Sequence, residues 1–185
     1  MTILTLANQL TLARLLLIPA LVILVVYGYN GWALVIFIVA GITDALDGLA
    51  ARRAGQRTSL GALLDPMADK LLLLSTFVVL TLPGLELANR LPIWLTVLVF
   101  SRDVIIVLTV AVVNLAIDRF TFHPSMFGKI TTFVYILTGS VTLYFNYLDR
   151  PSSVVDVAVY AALIATLVSG FHYIFHAARL VNKSL

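Results

Sequence analysis

The chain has 185 residues, 61% of them hydrophobic and only 11% charged, with a mean hydropathy of +1.05 and a formal net charge of +3. A soluble domain is typically about 45–50% apolar and about 25% charged, so this composition excludes an ordinary soluble domain and implies one membrane domain, residues 1–185. Cysteine is absent, which removes disulfide frameworks and thiolate chemistry; the modest positive charge reads as cytoplasmic anchoring and not as nucleic-acid binding.

A membrane-spanning helix needs about 20 mostly apolar residues. The first stretch that qualifies runs from Asn8 to Tyr27. Arg14 ahead of LLLIPALVILVV imitates a signal peptide, but no small-residue cleavage site follows and more apolar segments come after, so it is read as a retained span. Asn8, Thr11 and Arg14 are spaced by three and share one face. That face either borders a site or anchors the N-terminus at the interface.

The second segment runs from Trp32 to Arg52. The third runs from Ser59 to Leu82 and stops at Pro83-Gly84, with Pro66 inside it as a possible kink. The fourth runs from Pro92 to Ile117 and carries Arg102 and Asp103. An intramembrane arginine is a functional candidate by default, and because adjacent helical residues do not face each other, these two are expected to find partners elsewhere. Arg102 is a candidate for Asp69 or for a substrate phosphate.

The fifth segment runs from Ser125 to Tyr147. Lys129, following Gly128, is either a basic group of a binding pocket or a snorkelling interfacial lysine. The sixth runs from Val154 to Leu180. His172 and His176 lie one turn apart there, a spacing that suits a metal but lacks a third ligand; an interfacial helix end is the plainer reading. Trp32, Trp94, Tyr144 and Tyr147 sit near span ends, as an interfacial aromatic belt would.

The short loops set the orientation. Arg52, Arg53 and Arg57 follow the second span, Arg119 and Lys129 flank the start of the fifth, and Arg179 and Lys183 close the chain. The opposite loops hold Glu86 with Arg90, and Asp149 and Asp156 with Arg150. The excess of Lys and Arg marks the cytoplasmic side. The expected fold is therefore an all-α integral membrane protein with six transmembrane helices and both termini cytoplasmic.

Charge gathers in one place. Residues 44–69, DALDGLAARRAGQRTSLGALLDPMAD, hold four aspartates and three arginines. Asp44, Asp47, Gly48, Ala51 and Arg52 fall at spacings of three and four and share a helix face, while Gly61, Asp65 and Asp69 repeat every four residues on the next helix. The connection between them is short, so the helices are expected to be antiparallel neighbours, with Asp47 and Asp65 at similar distances from the turn. At about 1.5 Å rise per residue, the carboxylates should sit roughly 10–15 Å or less inside the cytoplasmic boundary.

Four converging carboxylates cannot all stay charged and unpaired near lipid. Protonation, pairing with Arg52 or Arg53, or a divalent metal would each relieve them. An all-carboxylate donor set suits Mg²⁺ or Mn²⁺ better than zinc. Gly48, Ala51, Ala54 and Gly61 allow either close helix packing or close approach of a ligand.

The whole pattern, D-x2-D-G-x2-A-R-x8-G-x3-D-x3-D, matches without departure the signature of the CDP-alcohol phosphatidyltransferases, and the expected six spans and cytoplasmic termini also resemble that family. The resemblance implies a membrane enzyme of phospholipid synthesis. It makes Asp44, Asp47, Asp65 and Asp69 ligands of two divalent cations, with Asp69 also the general base for the acceptor hydroxyl. Gly48, Ala51, Arg52 and Gly61 would line the CDP site, and Arg52 could meet phosphate by charge and hydrogen bonds. The implied donor is CDP-diacylglycerol, the implied product CMP, and the implied location the inner membrane with the site facing the cytoplasm. Homodimers are common in the family.

TSLGALLDPMADKLLL, LPIWLTVLVFSRDV and PSMFGKITT most resemble the phosphatidylglycerophosphate synthase and cardiolipin synthase branch. The first would use glycerol 3-phosphate as acceptor and the second phosphatidylglycerol. Arg102, Lys129 and Arg14 are the candidate acceptor contacts. Phosphatidylglycerophosphate synthases often carry a further arginine where this chain has Val110, which favours the second acceptor; the greater abundance of the first group favours the first. Two rivals stand outside this reading: a cation pathway through the intramembrane carboxylates, and a polyprenyl-type transferase that also holds Mg²⁺ by aspartates.

Overall fold

A computed structural model describes residues 6–54, 59–116 and 126–184, with side chains described for 9, 11–43, 67–109, 126–173 and 175. The described residues form six α-helices and no strand: α1 (Leu6–Val26), α2 (Asn30–Ala54), α3 (Ser59–Thr81), α4 (Ile93–Ala116), α5 (Met126–Tyr147) and α6 (Ser153–Ser184). Every expected segment is a helix, with ends within a few residues of those read from hydropathy. α3 runs through Pro66 as one helix, and α1 contains Pro19.

Local chemistry sets the helix ends. After α1, Gly28 adopts φ 79°, Gly28 N–H donates to Val25 C=O (3.0 Å) and Tyr29 N–H to Leu24 C=O (2.8 Å). This is a Schellman ending, which needs a left-handed residue that glycine adopts without strain. α5 ends the same way, with Asp149 at φ 49°, Asp149 N–H on Asn146 C=O and Arg150 N–H on Phe145 C=O. Aspartate is one of the few side chains that tolerate this region, and Pro151 prevents the helix from continuing. α3 stops before Pro83, and Gly84 turns the chain at φ 94°.

The chain divides into two compact units. The first comprises residues up to Leu91 together with Gly139–Ser152. Here α1 packs along both α2 and α3, and α2 touches α3. Leu21, Val25, Phe37, Ala40, Ala68, Phe77 and Leu80 form its buried core. Gly139 of α5 lies against Phe37 of α2 and Thr76 of α3. Phe37 and Thr76 stand at matching distances from the 55–58 connection, so α2 and α3 run antiparallel.

The second unit comprises Pro92–Thr138 and Ser153–Leu185. α4 packs against α6. Threonines cross-link α5 and α6: Thr131 Oγ1 donates to Ala165 C=O (3.1 Å), Thr138 Oγ1 to Ala158 C=O (3.2 Å), and Tyr135 and Thr166 share a hydrogen bond of 2.7 Å. Several of these hydroxyls also bond the carbonyl four residues back, which satisfies them where water is scarce.

Among the described residues, two helices are long and apolar enough to cross a membrane, Met126–Tyr147 and Ser153–Tyr173. Their apolar windows are only 33% and 28% buried, so most of their side chains face outward, unlike those of a soluble core helix. The described parts of α1 and α2, Thr11–Val26 and Asn30–Thr43, are apolar as well. Leu16, Ile23, Trp32, Phe133, Val157 and Ile164 are all exposed. A surface this apolar is the mark of a membrane environment.

Candidate active site

The acidic pattern is carried by the last turns of α2 and the first turns of α3. Antiparallel packing places Asp44, Asp47, Gly48, Ala51 and Arg52 of α2 at the same end of the first unit as Gly61, Asp65 and Asp69 of α3. The side chains of the first seven of these eight, and of Arg53, lie outside the described residues. Asp69 is described, and its surroundings are the most informative feature of the site.

Arg14 of α1 donates through Nη1 to Oδ1 of Asp69 at 2.5 Å. The Arg14 side chain is 1% exposed and that of Asp69 36%. Thr11, one turn earlier on the same face of α1, is also buried. The face that carries Thr11 and Arg14 is therefore packed, and Arg14 joins it to α3. The sequence pointed to Arg52, Arg53 or Arg102 as partners for the acidic cluster and to Arg14 as an acceptor contact; the pairing of Arg14 with Asp69 was not foreseen. Its signal was present in the three-residue spacing, which puts a cation on a packed face where a counter-ion becomes necessary.

Arg102 and Lys129 belong to the second unit. Arg102 Nη1 donates to Asp103 Oδ1 and its Nη2 to Ser169 Oγ of α6, both at 2.7 Å. The Arg102 guanidinium lies 6.0 Å from the centre of the Tyr173 ring. The expectation that adjacent Arg102 and Asp103 would not pair is corrected. The long arginine side chain reaches around its own helix, a freedom that the rule for short side chains overlooks. The Arg102 side chain is 10% exposed and borders a groove of about 160 Å³ between α4 and α6, walled by Leu98, Ile105, Leu167 and Phe171. Lys129 is exposed in the first turn of α5.

His172 packs its ring 4.6 Å from that of Phe127, an aromatic contact and not a ligand set. No group of three metal-binding side chains occurs among the described residues. His176 lies outside them. A larger groove, about 610 Å³, is lined by Tyr29, Asn30, Trp32, Tyr144 and Tyr147 at the start of α2 and the end of α5. It is aromatic, as an interfacial belt would be, and lies at the end of α2 away from the aspartates.

With this arrangement in place, comparison with known proteins is decisive. Residues 4–171 match the family model described as CDP-alcohol phosphatidyltransferase. The chain belongs to the CDP-alcohol phosphatidyltransferase family, transferases of phospholipid biosynthesis. It is 38% identical over 184 residues to a Mycobacterium tuberculosis (strain ATCC 25618 / H37Rv) protein named "Probable phosphatidylglycerophosphate synthase", covering 94% of this chain and 82% of that protein. It is 31% identical over 187 residues to the CDP-diacylglycerol--glycerol-3-phosphate 3-phosphatidyltransferase of Bacillus subtilis (strain 168), covering 91% and 92%. It is 37% identical over 140 residues to the cardiolipin synthase (CMP-forming) of Streptomyces coelicolor, covering 71% and 61%.

Proposed function

We propose that the chain transfers the phosphatidyl group of CDP-diacylglycerol to a hydroxyl of glycerol 3-phosphate, forming phosphatidylglycerophosphate and CMP. The observation that carries this reading is the complete eight-residue pattern on two antiparallel, neighbouring helices, with Asp69 held by a buried arginine. Relatives named for this reaction align over more than nine-tenths of the chain.

Asp44, Asp47, Asp65 and Asp69 would hold two divalent cations, Mg²⁺ or Mn²⁺, for which an all-oxygen, all-anionic donor set is suited. Asp69 is 36% exposed, so a cation could reach it from outside although Arg14 holds Oδ1 from the buried side. When bound, such ions supply Lewis-acid polarisation of the phosphoryl oxygens. Asp69 accepts the proton of the acceptor hydroxyl as that oxygen attacks phosphorus, and the bond to the CMP oxygen breaks in line with the attack. Gly48, Ala51 and Gly61 leave room for the CDP moiety, and Arg52 meets its phosphates. Arg102 and Lys129 are the proposed contacts for the acceptor's phosphate.

Residues 1–185 are proposed to work as one catalytic domain of six transmembrane helices, with both termini and the site on the cytoplasmic side of the inner membrane. There the acyl chains stay in lipid while the cytidine reaches water. The native chain lacks cysteine, so single cysteines placed in each loop and labelled from either side test the topology directly. Crosslinking in the membrane tests the homodimer that the family resemblance suggests.

A second acceptor has its own support. Val110 replaces a basic residue that a phosphate monoester would favour, and the Streptomyces coelicolor relative is a cardiolipin synthase. Purified protein given CDP-diacylglycerol with glycerol 3-phosphate or with phosphatidylglycerol, followed by identification of the lipid product, decides between them. CMP release that requires Mg²⁺ or Mn²⁺ and no ion gradient excludes the cation-pathway reading.

A further inference from the structure

We propose that Arg14 is a positioning residue for Asp69: it grips Oδ1 from the buried side and fixes where that oxygen stands before any substrate arrives. This rests on reading Asp69 as the reacting carboxylate. It also reassigns Arg14, which the sequence suggested as an acceptor contact.

The argument begins with burial. Arg14 is among the largest fully buried side chains of the described residues. A guanidinium withdrawn from water costs several kcal/mol unless an anion and hydrogen bonds compensate it. Asp69 Oδ1 at 2.5 Å contributes to that compensation. Thr11 beside it on α1, and Ala68 and Leu72 beside Asp69 on α3, are buried too, so the arginine stands in a packed wall. A group 1% exposed in such a wall is poorly placed to receive the phosphate of an incoming acceptor. Asp69 is different: at 36% exposure it has one side against the arginine and another toward the outside.

A base held in this way does not have to be ordered during the reaction. Displacing a reacting group by about 1 Å can lower the rate about 100-fold. Arginine suits the task better than lysine because its planar, always-charged fork fixes direction as well as charge. The pair also gives Asp69 a counter-charge before metal binds, so its effect should be measurable in metal-free protein.

The test uses full-length protein in detergent, as Arg14→Gln, Arg14→Lys, Asp69→Asn and the double variant Arg14→Gln/Asp69→Asn. In EDTA, thermal unfolding should be non-additive: each single variant already removes the Arg14–Asp69 bond, so the double variant should lose less than the sum of the two single losses. Additive losses overturn the pairing. In CMP release with saturating Mg²⁺ or Mn²⁺, Arg14→Gln should lower kcat about 100-fold while KM for CDP-diacylglycerol changes less than about threefold. Arg14→Lys should recover about tenfold of that loss. An unchanged kcat, or a rise in KM alone, overturns the positioning role. If Arg14→Gln does not fold, Arg14→Lys decides by itself: a kcat equal to that of the native chain overturns the proposal, and a drop of about tenfold with KM held supports it. Near-normal turnover by Asp69→Asn would instead remove the base reading, a failure separable from the unfolding result.

Discussion

Two polar links among the described residues of the first unit join distant stretches of chain, and they are built from opposite materials. At one, Asn89 and Asn146 exchange hydrogen bonds across 57 residues of chain: Asn89 N–H donates to Asn146 Oδ1 (2.7 Å), and Asn146 Nδ2 donates to Asn89 C=O (3.0 Å). Asn89 also donates through Nδ2 to Arg150 C=O and accepts at Oδ1 from Ser152 N–H. At the other link, Arg14 and Asp69 join α1 to α3 across 55 residues by an ion pair. Both tie together distant stretches of sequence. The amide cluster does so with neutral groups whose burial is offset by bonds on both sides. A buried ion pair is often no more stabilising than apolar packing of the same volume. Holding helices together therefore does not require a charge. The unit has a charge in the helix that carries the acidic pattern and amides at the loops, which is the distribution expected if chemistry, not stability, keeps the ions.

Breaking the charged link should have the largest consequences. Asp69→Asn is expected to abolish CMP release, a loss of about 10²–10⁴-fold for a general base, while CDP affinity is largely kept; isothermal titration with CDP beside a turnover assay checks both. Next in size, Asp44→Asn or Asp65→Asn should raise the Mg²⁺ or Mn²⁺ needed for activity and weaken donor binding together, each by about 10- to 100-fold if one charge-assisted contact of about 1.5–3 kcal/mol is lost. A metal titration at several CDP-diacylglycerol concentrations reads this. Chelation should stop turnover of the native chain, and restoring the cation should return it.

Much of this was legible in the sequence because hydropathy and carboxylate spacing are local. The six helices emerge almost as read, since each apolar run is bounded by its own punctuation: Gly28, Pro83-Gly84 and Asp149 before Arg150-Pro151. The count of apolar spans is a different matter. Only α5 and the first part of α6 meet a strict criterion among the described residues. α4 holds Arg102 and Asp103 within an otherwise apolar helix, and α3 holds Asp69 and Lys70. Pairing was less legible than position. Arg14 lies 55 residues from Asp69, and Ser169 of α6 lies 67 residues from Arg102; spacing puts a cation on a packed face but does not name the distant group it meets. The reach of Arg102 around its own helix to Asp103 escaped for a related reason, because facing rules treat side chains as short.

The neutral link should fail differently. Asn146→Ala removes both bonds to the Asn89 backbone and leaves a buried N–H and C=O without that partner, a loss of about 1–3 kcal/mol in stability. Turnover below the new melting point should stay within about twofold, because nothing charged has moved; a kinetic defect as large as that of the Arg14 variants would dissolve the contrast between the two links.

The smallest effect separates packing from either kind of polar link. A Cβ on Gly139 would stand 3.1 Å from Cζ and 3.3 Å from Cε1 of Phe37. Phe37 is 2% exposed, so its ring has little room to retreat. Overpacking of this kind costs about 1–3 kcal/mol, and the better helix propensity of alanine returns about 1. Gly139→Ala should therefore lower the melting temperature slightly or not at all. Gly170 of α6 has nothing within 4 Å of the same built atom, so Gly170→Ala keeps the propensity gain without the clash and should raise it. The sign of the difference between these two variants, read by thermal unfolding in one detergent, measures how tightly α5 is seated on α2. An equal gain in both would mean that Gly139 is not at a close helix contact.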